Sequence, residues 1–153
     1  MKAIAIGLFT MLALGASVLN ARAECLVETK AIVFPLYDVY ATTPIDAVGT
    51  LSYKCTSDQV GVTTTFRIAI DPSPEGGFTR RMRRVTEALD YDLFLDPMRT
   101  MIWGNGAKGT FAYVGTCCAV GKYTTASIYA RIPPGQDVSA GKYSDVLLVN
   151  FEF

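Results

Sequence analysis

Four cysteines, one run of arginines and several spaced carboxylates are the residues of this chain with the most chemistry in them. There is no histidine, which removes the commonest general base and the commonest metal ligand. A serine or cysteine nucleophile would therefore lack its usual activating partner. Asp90 and Asp92 sit two positions apart, and a pair of carboxylates is what glycoside hydrolysis uses. They alternate with Leu89, Tyr91, Leu93 and Leu95, so they read as the solvent face of a half-buried strand rather than as a catalytic pair. Asp71, Glu75, Asp90 and Asp96 lack the ligand spacing of a calcium loop. Gly104-Asn105-Gly106 is not followed by a helix and reads as a turn, not as a phosphate cradle. Trp103, Tyr113 and Tyr129 have faces that can stack on sugars, but core or sheet-face packing is the commoner use of such rings. Catalytic residues, cofactors and metals are all expected to be absent.

Arg80-Arg81-Met82-Arg83-Arg84 places four arginines in five residues. It reads as a solvated loop balanced by Glu75, Glu87 and Asp90. The cysteines say more. Four of them in an exported chain point to disulfides rather than zinc, and they allow three pairings. Cys25 opens the first extended segment and Cys55 ends the second. If those segments run antiparallel and adjacent, a Cys25–Cys55 bridge closes a loop of about 30 residues, worth roughly 3 to 4 kcal/mol. Cys117 and Cys118 would then remain. Their α-carbons lie about 3.8 Å apart, less than the roughly 4.4 to 6.8 Å of ordinary disulfides. A vicinal bridge would form a strained ring; free thiols or an intermolecular bond are the alternatives.

Export itself is read from the amino terminus. Lys2, an apolar stretch from Ile4 to Leu19 and the small-x-small site Ala21-Arg22-Ala23 make residues 1–23 a secretory signal peptide. The stretch is short for a span of roughly 20 residues, and no stop-transfer cluster follows. The mature chain is expected to be a single domain over residues 24–153 with no membrane span. Cleavage removes Lys2 and Arg22, which takes Lys plus Arg from 14 to 12 against 14 acidic residues, a formal charge of −2. Nothing in this balance asks for a nucleic-acid partner.

The elements that would position these residues are short strands. Leu26 to Phe34 alternates loosely and ends at Pro35. Gly49 to Thr56 places Leu51, Tyr53 and Cys55 on one face, and Thr63 to Asp71 places Thr64, Phe66, Ile68 and Ile70 on one face. Asp71 to Gly77 is a loop. Further strands are expected at Leu89 to Leu95, Thr100 to Trp103, Thr110 to Val114, Tyr123 to Ile132 and Val146 to Phe153. Arg83 to Leu89 is the one place for a short helix. Short strands punctuated by glycine and proline predict an all-β sandwich or barrel. In the last strand Leu147, Val149, Phe151 and Phe153 share one face. A strand that runs to the carboxylate leaves its neighbouring edge uncovered, and these four residues are expected to line a groove for a partner strand.

The ordered set of segments resembles a known family. A cysteine stands ahead of Val33-Phe34-Pro35; then come Gly49-Thr50-Leu51-Ser52-Tyr53-Lys54-Cys55-Thr56, Arg80-Arg81-Met82 and Leu89-Asp90-Tyr91-Asp92-Leu93-Phe94. Trp103-Gly104-Asn105-Gly106, Ala140-Gly141-Lys142-Tyr143-Ser144-Asp145 and an apolar terminal strand complete it. This is similar to the spore coat protein U domain of archaic chaperone–usher (Csu-type) pilus subunits, over nearly the whole mature chain. The resemblance implies a Gram-negative origin and an immunoglobulin-like β-sandwich that lacks its last strand. It implies three partners: a periplasmic chaperone that lends a strand, an outer-membrane usher, and a neighbouring subunit that supplies the permanent strand by β-strand addition. It also implies a Cys25–Cys55 bridge; the pair Cys117 and Cys118 is outside the family pattern.

One departure bears on position in a fibre. Polymerising subunits carry an alternating donor segment ahead of the first cysteine, whereas here only Glu24 separates the expected cleavage site from Cys25. At about 3.3 Å per residue a single residue does not span a groove. The chain is therefore expected to accept a strand without donating one, as a non-enzymatic tip subunit of a surface fibre or of a spore-coat-like layer. It would pass through the periplasm to the cell surface. The rival reading is a self-complete secreted sandwich that binds carbohydrate or protein as a monomer; a hydrolase is the remote third.

Overall fold

The computed structural model describes residues 23–57, 63–73, 76–117 and 122–152. Met1 to Arg22 of the expected signal peptide, Glu75, Cys118 and Phe153 lie outside the described residues.

Period-two patterning produces the strands. The first, β1 (Ala23–Lys30), pairs antiparallel with β2 (Ile45–Ser57), and Cys25 stands directly opposite Cys55. The two are bonded. Along β2 the residues Leu51, Tyr53 and Cys55 point into the core, while Thr50, Ser52, Lys54 and Thr56 face outward. Next comes β3 (Thr64–Ile70), whose Phe66, Ile68 and Ile70 are fully buried. A hairpin follows, β4 (Arg80–Arg84) with β5 (Glu87–Phe94), and then β6 (Tyr113–Cys117), β7 (Thr124–Ile132) and β8 (Val149–Glu152). Every strand pairing is antiparallel. One sheet has the order β1-β2-β7-β5-β4, the other β6-β3-β8. The molecule is an all-β, immunoglobulin-like sandwich.

Aromatic rings join the layers. Tyr53 meets Phe66 edge-on across the two sheets at 4.8 Å between centroids, and Phe66 stacks on Phe151 of its own sheet at 4.5 Å. A Cβ at Gly115 would collide with the Phe66 ring, so the glycine is what lets β6 close over it. Trp103 is 3% exposed, and its indole N–H donates to the Ile68 carbonyl at 3.0 Å. Burial with a satisfied donor makes it a core residue rather than a sugar platform.

Five sequence expectations change. The arginine run is not a loop but the edge strand β4, and Arg83 to Leu89 is not a helix but a hairpin. Arg80, Met82 and Arg84 take the inward positions of that strand and Arg81 and Arg83 the outward ones. The alternation was hidden because arginine buries its stem and so occupies an inward position without being apolar. Arg81 does pair with Asp90 at 3.0 Å and Arg84 with Glu87 at 3.3 Å, as charge balance suggested. Thr100 to Trp103 forms isolated bridges, Phe94 with Ile102 and Trp103 with Phe111, instead of a strand. The sixth strand starts at Tyr113 rather than Thr110, and the last at Val149 rather than Val146.

Candidate strand-acceptor edge

The last strand is secured on one side. Ile70, Ala69, Ile68 and Arg67 of β3 face Val149, Asn150, Phe151 and Glu152 of β8. Arg67 and Glu152 add an exposed ion pair at 3.6 Å. On the side away from β3, no strand among the described residues pairs with β8. Its inward residues Val149 and Phe151, and Leu147 just ahead of it, pack against the buried core but remain only half-buried. Phe153, the fourth residue expected in this row, lies outside the described residues. Two outward neighbours are also bare: Val146 is 94% exposed and Leu148 70%.

The approach to β8 explains the opening. Residues 133–148 form a strap that is tied to the β4–β5 hairpin. Gln136 acts there like a strand peptide: its Oε1 accepts from the Asp90 N–H at 2.7 Å and its Nε2 donates to the Asp90 carbonyl at 2.9 Å. Glu87 accepts from the Ser139 hydroxyl at 2.8 Å, the Ser139 N–H at 3.1 Å and the Tyr143 hydroxyl at 3.0 Å. These bonds hold its carboxyl below the usual glutamate range, the Ser139 hydroxyl contributing most. Arg83 and Ser144 exchange backbone hydrogen bonds at 2.8 and 3.2 Å. The chain then leaves β4 and joins β3 only at Val149. Between these two attachments, Asp145 accepts the Val146 N–H on one carboxylate oxygen and the Tyr91 hydroxyl on the other, both at 2.8 Å. Burial, and then this bond to Asp145, push the Tyr91 phenol up.

The segment after β1 lies against the five-stranded sheet. Ile32 lies against Gly49, where a Cβ would strike it, and Phe34 sits edge-on to Tyr91 at 5.8 Å. Val33 and Leu36 alternate with them and are exposed. Tyr91 thus touches both this segment and Asp145 of the strap. An unpaired strand backbone beside a row of half-covered apolar side chains is the geometry that accepts an added strand.

Several other residues singled out by their chemistry have structural partners. Asp90 pairs with Arg81, and burial pushes the half-buried Asp92 up despite a hydrogen bond from Thr79. The Tyr113 hydroxyl meets that of Tyr53 at 3.2 Å, and Arg99 lies over Tyr129 at 5.9 Å. Among the described residues there is no group of three metal-ligating side chains, and no helix is long and apolar enough to cross a membrane. Of the four cysteines, Cys25 and Cys55 are bonded, Cys117 has only its backbone described, at the end of β6, and Cys118 is outside. Sequence reasoning missed the Tyr91–Asp145 hydrogen bond and the packing of Ile32 and Phe34 on the five-stranded sheet; the apolar run Ile32-Val33-Phe34 before Pro35 was the available signal.

Two antiparallel sheets, with no strand among the described residues beyond β8, define an immunoglobulin-like sandwich. The chain belongs to the Spore Coat Protein U domain family, whose model matches residues 10–150. It is similar to Protein U of Myxococcus xanthus, with 30% identity over 112 residues, 69% of this chain and 59% of that protein. Among solved structures it is similar to a chain of the CsuC-CsuE chaperone-tip adhesion subunit pre-assembly complex from archaic chaperone-usher Csu pili of Acinetobacter baumannii. That match has a TM-score of 0.57 at 20% identity and covers 86% of this chain and 40% of the other. The chain thus spans less than two thirds of either relative.

Proposed function

We propose that this protein is an exported, non-enzymatic subunit of a chaperone–usher surface fibre or of a related coat layer, and that it works by accepting a strand along β8. The observation that carries this is the one-sided pairing of β8 above the half-covered Leu147, Val149 and Phe151. A periplasmic chaperone would fill the edge first, and a neighbouring subunit would replace it at the usher. Backbone hydrogen bonds to the free side of β8 give affinity, and alternate side chains entering over the core give register. The family membership and the pilus-derived fold relative support the same reading.

Within a fibre the proposed position is the tip. With cleavage after Ala23, Glu24 alone precedes Cys25, and both already lie in β1, paired with β2. Such a subunit receives a strand and has none to pass on.

The reading is tested by expressing the chain in the periplasm alone and with its cognate chaperone. Aggregation or proteolysis alone, and a soluble one-to-one complex together, are expected. A cooperatively melting monomer obtained without a partner would favour the self-complete sandwich. Antibody labelling of assembled fibres tests the position: signal at one end is expected, and signal along the shaft contradicts a terminal role.

A further inference from the structure

We propose that Asn105-Gly106 is a spontaneous modification site, at which Arg67 promotes conversion of the asparagine to aspartate or isoaspartate, and that the new carboxylate then draws Arg67 away from Glu152 on β8. Three features of one turn converge. Gly106 is exposed, has φ +85° and carries no side chain, so its backbone nitrogen is open to approach. The Asn105 side-chain oxygen accepts the Ala107 N–H at 3.0 Å. That bond folds the side chain over the Gly106 peptide and polarises the carbonyl that must be attacked. The Arg67 guanidinium donates to the Asn105 main-chain carbonyl at 3.0 Å and lies 2.9 Å from where a Gly106 Cβ would stand. A fixed cation there favours loss of the Gly106 N–H proton and stabilises the oxyanion formed at Asn105 Cγ.

The reaction balances with water alone. The Gly106 nitrogen gives up its proton and bonds to Asn105 Cγ, and the Cγ–Nδ2 bond breaks, so that the side-chain nitrogen leaves as ammonia. Water then opens the five-membered imide at either carbonyl and leaves one new carboxylate. That charge arises on the residue whose main-chain oxygen Arg67 already holds. Arg67 is also the partner of Glu152 at 3.6 Å, so the two carboxylates compete for it. The modification therefore acts on the strand that carries the open edge, while resting on no reading of what that edge binds.

Asn150 is the internal comparison. It is followed by Phe151 and lies inside β8 opposite Ala69. The mature chain, in whichever soluble form it is obtained, is aged in mildly alkaline buffer and mapped by peptide mass spectrometry, with isoaspartate counted by enzymatic methylation. Gain of about one mass unit at Asn105 is expected many-fold faster than at Asn150, several-fold slower in Arg67→Met, and not at all at position 105 in Asn105→Ser. Conversion of Asn105 no faster than Asn150, or at the parental rate in Arg67→Met, would overturn the proposal. Amide exchange over Val149–Glu152 should quicken by about two- to five-fold after conversion, the scale of a lost exposed pair; unchanged exchange there would overturn the link to β8.

Discussion

At the scale of single residues, the disulfide and two carboxylates make the clearest claims. Cys25 and Cys55 bond across directly opposed positions and close a loop with a sequence separation of 30. Replacing both by serine should lower stability by roughly 3 to 4 kcal/mol, measured by urea unfolding of the partner-completed protein. Asp46 takes two hydrogen bonds from Arg131 at 2.7 and 2.9 Å, with Arg99 at 3.1 Å, and these hold its carboxyl below the usual range. A lowered carboxylate stabilises the fold above its unfolded pKa, and the contribution is lost as pH falls through the folded value. Asp92 has the opposite sign: burial raises it, so its ionised form opposes folding once pH rises through the folded value. Asp46→Asn should therefore lower Tm at neutral pH and converge with the parent in acid, whereas Asp92→Asn should raise Tm at neutral pH. Thermal melts across an acid-to-neutral series check both signs. Sequence pattern placed Asp90 and Asp92 correctly on one strand face. It did not reveal that Asp92 is half-buried and takes a hydrogen bond from Thr79, the residue just before the neighbouring edge strand and remote from the local alternation.

At the scale of elements, the strands rich in β-branched and aromatic residues were legible, and β2, β3, β5 and β7 start and end within a few residues of their sequence expectations. The β4–β5 hairpin was not legible, for two reasons. Arginines occupy its inward positions, and its turn has no glycine or asparagine. Val85 takes the first loop position at φ 53° and is 95% exposed. A β-branched residue there is strained, so Val85→Gly should stabilise the hairpin by about 1 kcal/mol, seen as a higher Tm with unchanged fold. The acceptor edge makes the converse case. Phe151 stacks on Phe66 while only half-buried, so Phe151→Ala should lose about 2 to 3 kcal/mol in the completed protein. It should also weaken capture of the partner strand, measured as recovery of the complex on co-expression.

At the scale of the whole molecule, the sandwich was legible because short period-two strands separated by glycine and proline turns must bury their apolar faces against one another. The course of the chain after β1 was not. Ile32 and Phe34 were read as the end of the first strand, whereas the chain leaves the sheet at Lys30 and Phe34 instead reaches Tyr91, on the strand that β4 covers. That placement depends on which sheet each strand joins, which local alternation does not encode. The central claim is that β8 accepts a strand on its free side. Amide hydrogen exchange, compared between the chain alone or minimally stabilised and the chain bound to its chaperone or donor segment, tests it most directly. The account predicts new protection concentrated from Asp145 to Glu152, on the amides that do not already bond β3. Protection appearing instead along β1 or β4, with the 145–152 segment unchanged, would contradict it.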